Sequence, residues 1–203
     1  GYDVKIDGNI YFQFKIPEHI TRRNVNNSNQ WVVFNQSFYR IKINTNLRQF
    51  ELLKDLQDPS NNVYYATPDF HTDADISSNY QLDKIVGSSS LFPIQNFPAY
   101  GSGHHQLIYH PDYDWGKLFS EPTEIKKERT IDPFELFGAQ KNPELTIIEQ
   151  ARIINKIINS KEYTIQGDIP LNSKEPSEFV KSIHNILLTN FNIHWYPIIS
   201  RRQ

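Results

Sequence analysis

Residues 10 to 16, Ile-Tyr-Phe-Gln-Phe-Lys-Ile, constrain this chain more than any other stretch. Apolar and aromatic residues dominate the run, and Pro17 follows it. The pattern predicts a strand that ends where proline can no longer donate to a ladder. Side chains alternate along a strand. Ile10, Phe12, Phe14 and Ile16 therefore share one face, and Tyr11, Gln13 and Lys15 the other. A strand this apolar is built to be buried, yet it keeps an amide and an ammonium together. Burying such groups without partners is costly, so they need a reason to be there.

Ahead of this run, residues 2 to 6 form a second extended stretch, and Asp7, Gly8 and Asn9 between them are a tight-turn signal. Residues 2 to 16 are expected to form a β-hairpin. Residues 17 to 30 are polar and read as loop, and a third strand is expected over 38–43. Over 44–58, Leu47, Phe50, Leu53 and Leu56 recur at three-residue steps behind an Asn/Thr cap, which predicts a helix. A strand over 62–68, a weaker helix over 73–86 and a strand over 104–111 follow. Two amphipathic helices are predicted over 143–160, with Pro143 near the start, and over 177–191. Residues 193 to 199 read as a terminal strand or extended tail.

This order predicts a mixed α/β (α+β) fold with a small mixed central sheet flanked by helices and a helical C-terminal extension. The expected domains are an α/β core over 1–112, a connector rich in Pro, Asp and Glu over 113–142, and a helical portion over 143–203.

Composition narrows the function. The chain has 203 residues, a net charge of -2 and no cysteine. Disulfides, zinc ribbons and thiol chemistry are excluded. Near-neutral charge argues against a surface coated for nucleic acid, though not against local contacts. There is no apolar run of about 20 residues, as a membrane helix needs, and no basic-then-apolar leader, so a cytoplasmic location is expected. Methionine is absent, including at position 1, and the core is expected to be incomplete at its N-terminus.

In the expected hairpin, Asp3 on the first strand comes beside Gln13 and Lys15 on the second. Adjacent strands lie about 4.8 Å apart. A divalent metal would explain such a group. Asp3 supplies a hard oxygen ligand of the kind Mg²⁺ takes, Gln13 orients the metal or its water, and the backbone carbonyl of Phe14 supplies a further oxygen. Lys15 then offsets charge on a phosphate or polarises the attacking water. The plainer reading leaves Gln13 and Lys15 facing solvent, with Asp3 as a cross-strand ion partner.

Asp3, Gln13 and Lys15, with the helix and short strand that follow, resemble the core of the PD-(D/E)xK nuclease superfamily in its Gln-x-Lys variant, found in Mrr-like restriction endonucleases. The resemblance spans roughly residues 1 to 68 and implies a restriction-endonuclease-like fold. It implies a metal-dependent DNA endonuclease that hydrolyses phosphodiesters with Mg²⁺, or Mn²⁺ in its place, in restriction or anti-phage defence. Two features differ from the family pattern. The usual acidic residue on a preceding helix would fall ahead of Gly1, and residues 17 to 43 are an insertion. The alternative function is a catalytically inactive, nuclease-like binding or scaffold subunit of a larger defence assembly.

Several further groups carry possible chemistry. Arg22 and Arg23, just after the Gln-x-Lys strand, and His105 are weaker candidates for DNA contact. His71, Asp73 and Asp75, with His104, His105, His110 and Asp112, are of the types that ligate Zn²⁺ or Mn²⁺, and His71, Asp73 and His105 define a metallohydrolase reading. Their spacing matches no strong motif, and Thr72 with the aspartates reads first as a helix cap. Arg40, Lys42 and 126–129 read as solvated basic groups. The wide Ile face of the 143–160 helix is core, or else a surface for a protein partner or a second copy.

Overall fold

The apolar run does form a strand, β2 (Gly8–Phe14), but its neighbours are not those the turn signal predicts. β1 (Lys5–Ile6) pairs antiparallel with β10 (Leu145–Thr146), through Lys5↔Thr146 and Ile6↔Leu145. β2 instead pairs antiparallel with β11 (His194–Ile198), Tyr11 opposite Trp195. The expected 2–16 hairpin is therefore not formed. Gly8 and Asn9, read as turn residues, are ladder residues opposite Ile198 and Pro197.

The computed structural model describes residues 5–6, 8–45, 48–58, 61–99, 103–120, 122–128, 145–161, 163, 165 and 175–198. Asp3, Leu47 and Pro143 lie outside these residues. The fold is mixed α+β, as the sequence predicts. The chain forms two units. The first comprises Gly1–Gln13, Leu47–Tyr64 and Phe137–Gln203, and the second Phe14–Asn46 and Tyr65–Leu136.

In the first unit, β2 lies between β11 and β5 (Asn61–Pro68), the latter beginning in this unit. Three helices belong to this unit, α2 (Arg48–Asp55), α4 (Ile147–Ser160) and α5 (Pro176–Phe191); they pack on one another, and α5 also packs on β11. α4 starts at a Thr146/Glu149 capping box and buries Ile147, Ala151, Ile154 and Ile158, the one-sided stripe of an amphipathic helix. Its Gln150 is also buried and donates to the Tyr11 hydroxyl at 2.9 Å. α5 has Pro176 in its first turn and ends at Asn192, whose φ of 51° supplies the left-handed C-cap. That turn aims the chain into β11.

Asn9 explains why the turn signal fails. It is 3% exposed, accepts from the Trp195 indole at 2.9 Å and donates to Asn61 Oδ1 at 3.0 Å. Asn61 in turn donates to Leu56 O at 2.9 Å. An asparagine whose amide both donates and accepts inside a sheet keeps the kind of hydrogen bonds it would make with water in a turn.

In the second unit, five strands form an antiparallel sheet in the order β3-β4-β7-β8-β9. These are β3 (Glu18–Ile20), β4 (Phe38–Asn44), β7 (His104–Tyr109), β8 (Trp115–Leu118) and β9 (Thr123–Lys126). β3 and the first three residues of α1 (Ser28–Phe34) occupy what reads as loop. β8 and β9 occupy the expected connector. β6 (Ser89–Pro93) neighbours β5 and bridges to Glu128 through Leu91, and α3 (Asp73–Gln81) precedes it. The core lies on Phe38, Ile41, Phe92, Leu107, Ile108, Leu118 and Ile125. Gly116 of β8 is required by close approach, since a Cβ there would meet Ile108 O at 2.9 Å.

Two groups read as solvated are not. Arg40, 8% exposed, pairs with Glu18 opposite it in the ladder at 2.6 Å and donates to Gln30 Oε1 at 3.1 Å. Lys127 is 3% exposed, its ammonium enclosed by Ser90 and the His110 carbonyl.

Asn9→Ala strands the Trp195 N–H and one Asn61 group. Stability is expected to fall by about 1–3 kcal/mol, measured as a lower urea midpoint at unchanged m-value.

Candidate functional site

The expected site residues are buried, half-buried, exposed or outside the described structure. Gln13, in the first unit, is 2% exposed, and its Oε1 has no hydrogen-bond partner among the described residues. An unpartnered buried carbonyl oxygen is rare, because it forfeits the full hydration of that atom. It has the chemistry of a hard-cation ligand, so this one residue fits a Mg²⁺ or Mn²⁺ site. Asp3, the expected carboxylate ligand, lies outside the described residues. The observed pairing of β1 with β10 removes the hairpin that was to bring its strand beside Gln13. Among the described residues no group of three or more His, Asp or Glu is placed to hold a metal ion.

Lys15, in the second unit, follows the end of β2. Its backbone N–H donates to Ala66 O at 2.8 Å, and its Nζ lies 5.2 Å from the centre of the Tyr65 ring. Loss of hydration depresses the ammonium below its ordinary value. Lys15 is therefore not the solvated strand lysine of the plainer reading. Phe14 ends β2 with its side chain half exposed.

The weaker candidates separate. Arg22 and Arg23 sit exposed in the turn after β3, with the Arg22 guanidinium 5.9 Å from the Trp31 ring. His105 is 7% exposed, with its ring nitrogens at Thr45 Oγ1 (3.3 Å) and Ser120 Oγ (2.5 Å). Its ring is thus enclosed on both sides. It does not meet His71. His71 Nδ1 lies 3.1 Å from the Tyr39 hydroxyl. Tyr39 is opposite Tyr109 in the ladder, while His105 is opposite Ile43. Four strand residues separate the two positions by about 13 Å. Asp73 is exposed in the first turn of α3, where Thr72 and Asp75 form a capping box. The capping reading of this stretch holds, and the His71, Asp73 and His105 metal set does not assemble.

The sequence did not signal a polar cleft in the second unit. A cleft of about 440 Å³ is lined by Tyr39, Asp69, Asp75, Asn79, Ser88 and Asp112, among others. Beneath it, Lys127 Nζ donates to Ser90 Oγ (3.1 Å), His110 O (2.8 Å) and Pro111 O (3.3 Å). Ser90 in turn donates to Asp69 Oδ1 at 2.6 Å. A buried ammonium is tolerated only with its protons spent in this way. Ser90 is fully buried, so the relay positions Asp69 rather than offering a nucleophile. Beside the cleft, His19 and His71 stack with ring centres 3.7 Å apart. Loss of hydration and the neighbouring His71 depress His19, against an opposing pull from Asp75. These partners are far apart in sequence, so only proximity in the fold reveals them.

The sign for pH follows from His19. Its folded form binds a proton less readily than the unfolded chain, so its stability is intact above the ordinary histidine value of about 6.5 and is lost as pH falls through the depressed folded value. Urea midpoints are expected to drop between pH 7.5 and 5, and to drop less in His19→Gln. No family model, no curated protein and no solved structure matches this chain.

Proposed function

We propose that the segment from Gln13 to Lys15 serves a metal-dependent DNA endonuclease of the PD-(D/E)xK type, with Asp3 completing its ligands. The observation that supports this most is the unpartnered, buried Gln13 Oε1. A sheet that has no use for a carbonyl oxygen would be better served by leucine at that position. Two residues on, Lys15 is a desolvated ammonium over an aromatic ring, a form in which its charge acts strongly on an anion nearby. The bound Mg²⁺ or Mn²⁺ would supply Lewis acidity toward the phosphate. Lys15 offsets phosphate charge, and Gln13 and the Phe14 carbonyl supply oxygen ligands. A role in restriction or anti-phage defence belongs to this reading.

A second reading has its own support. Because β1 pairs with β10, the strand ahead of β2 is not led alongside Gln13. That favours a nuclease-like subunit that binds or scaffolds without cleaving.

Cleavage of duplex DNA with Mg²⁺ or Mn²⁺ separates the two. The enzyme reading expects cleavage that drops by about a hundredfold or more in Lys15→Ala, with unchanged circular dichroism. It also expects activity to decline as pH rises through the depressed Lys15 value, where the ammonium loses its proton. Gln13→Leu should weaken Mn²⁺ binding by calorimetry while leaving the metal-free fold as stable or more so. A wild-type protein that binds DNA and cleaves none leaves the scaffold reading.

A further inference from the structure

α3 buries none of its nine residues. A helix this short normally draws its stability from an apolar face packed on a core. This one is held at its ends instead. The Thr72/Asp75 capping box fixes its start, and Asn79 donates to Asp75 O at 2.9 Å while accepting from Ser88 Oγ at 2.7 Å. Asp75 and Asn79 line the cleft. The next stripe, Ile76 and Tyr80, is 47% and 78% exposed, and Asp73 shares it by helical spacing. The outer face of α3 is thus apolar and edged with acid.

A second exposed face of the same unit has the opposite charge. Arg22 and Arg23 are exposed between β3 and α1, and neither forms an ion pair among the described residues. On α1, Val32 is 75% exposed. The stacked His19 and His71 bring the roots of these two segments together, Arg22 and Arg23 following His19 by three and four residues and Asp73 following His71 by two. The chain leaves His19 toward the arginine loop and leaves His71 toward α3.

An acid-edged apolar patch beside a base-edged apolar patch is self-complementary under a two-fold axis. We infer that a second copy of this chain covers this face, with Arg22, Arg23 and Val32 of each copy meeting Asp73, Ile76 and Tyr80 of the other. Exposed apolar area of this kind marks an interaction site, and charge matching fixes its register. DNA is the poorer occupant, because the acidic half repels phosphate. The inference does not depend on chemistry at Gln13 or Lys15.

Sedimentation velocity of the full chain across the micromolar range tests it. A reversible dimer is expected, with its dissociation constant raised at least about tenfold by Tyr80→Ser, by Arg22→Glu with Arg23→Glu, and by Asp73→Arg. These positions are exposed, so folding should survive, as circular dichroism would report. Mixing the Arg22→Glu/Arg23→Glu protein with the Asp73→Arg protein should restore the dimer, since both halves of the mixed contact are again opposite in charge. A monomer at every concentration overturns the inference, as does a dimer indifferent to these changes or lost on Ile153→Ser in α4. So does a double-glutamate protein that loses DNA binding while its association is unchanged, because the loop then belongs to nucleic acid.

Discussion

The side-chain amide of Asn9 holds the first unit to its topology. It accepts from Trp195 on the last strand and donates to Asn61 at the start of β5, so one buried group ties β2 to β11 and to the segment after α2. Trp195 and Tyr11, opposite one another in the β2–β11 ladder, are both almost wholly buried. Gln150 of α4 reaches the Tyr11 hydroxyl from the helical layer. Each of these contacts consumes a polar group that would be expensive to bury alone. Together they make β2 an interior strand of the sheet rather than half of a local hairpin. The same environment leaves Gln13 Oε1 without a partner among the described residues, which makes that residue chemically conspicuous.

The second unit solves the same problem with charge. Glu18 accepts from Arg40 at the sheet edge, Arg40 reaches Gln30, and Gln30 donates to Gln106 at 2.6 Å. On the other side Lys127, Ser90 and Asp69 form a relay under the cleft. Arg40 and Lys127 are buried charges, weak evidence for stability, but removing a partner leaves a buried cation uncompensated and is strongly unfavourable. The cleft and the His19–His71 stack sit among loops that this sheet supports, and the bare helix α3 borders them.

How far the sequence could be read depended on where each element finds its partners. Helices α2, α4 and α5 were legible because a 3.6-residue stripe is local: Phe50 and Leu53, or Ile147, Ala151, Ile154 and Ile158, announce their own buried side. β4, β5 and β7 were legible as apolar runs. β8 and β9 were not, because Trp115, Gly116 and Leu118 give too brief an alternation to outweigh the surrounding Pro, Asp and Glu. α1 was hidden for a similar reason: its Ser, Asn and Gln read as loop, and only Phe34 and Gln30 bury. In the candidate site, the type and spacing of Gln13 and Lys15 were visible, while the enclosure of His105, Arg40 and Lys127 was not.

The sequence by itself determined that the chain is mixed α+β, where its longer helices run, and that an amide and a lysine two apart interrupt an apolar strand. Those properties arise from neighbours along the chain, through periodicity and capping. Only the tertiary structure decided that β2 pairs with the last strand, that Gln13 Oε1 is left without a partner among the described residues, and that an acid-lined cleft gathers residues from 39 to 112. Strand pairing and burial depend on segments as much as 186 residues apart. A turn signal as strong as Asp-Gly-Asn yields when a distant indole and amide bind the asparagine in place of water.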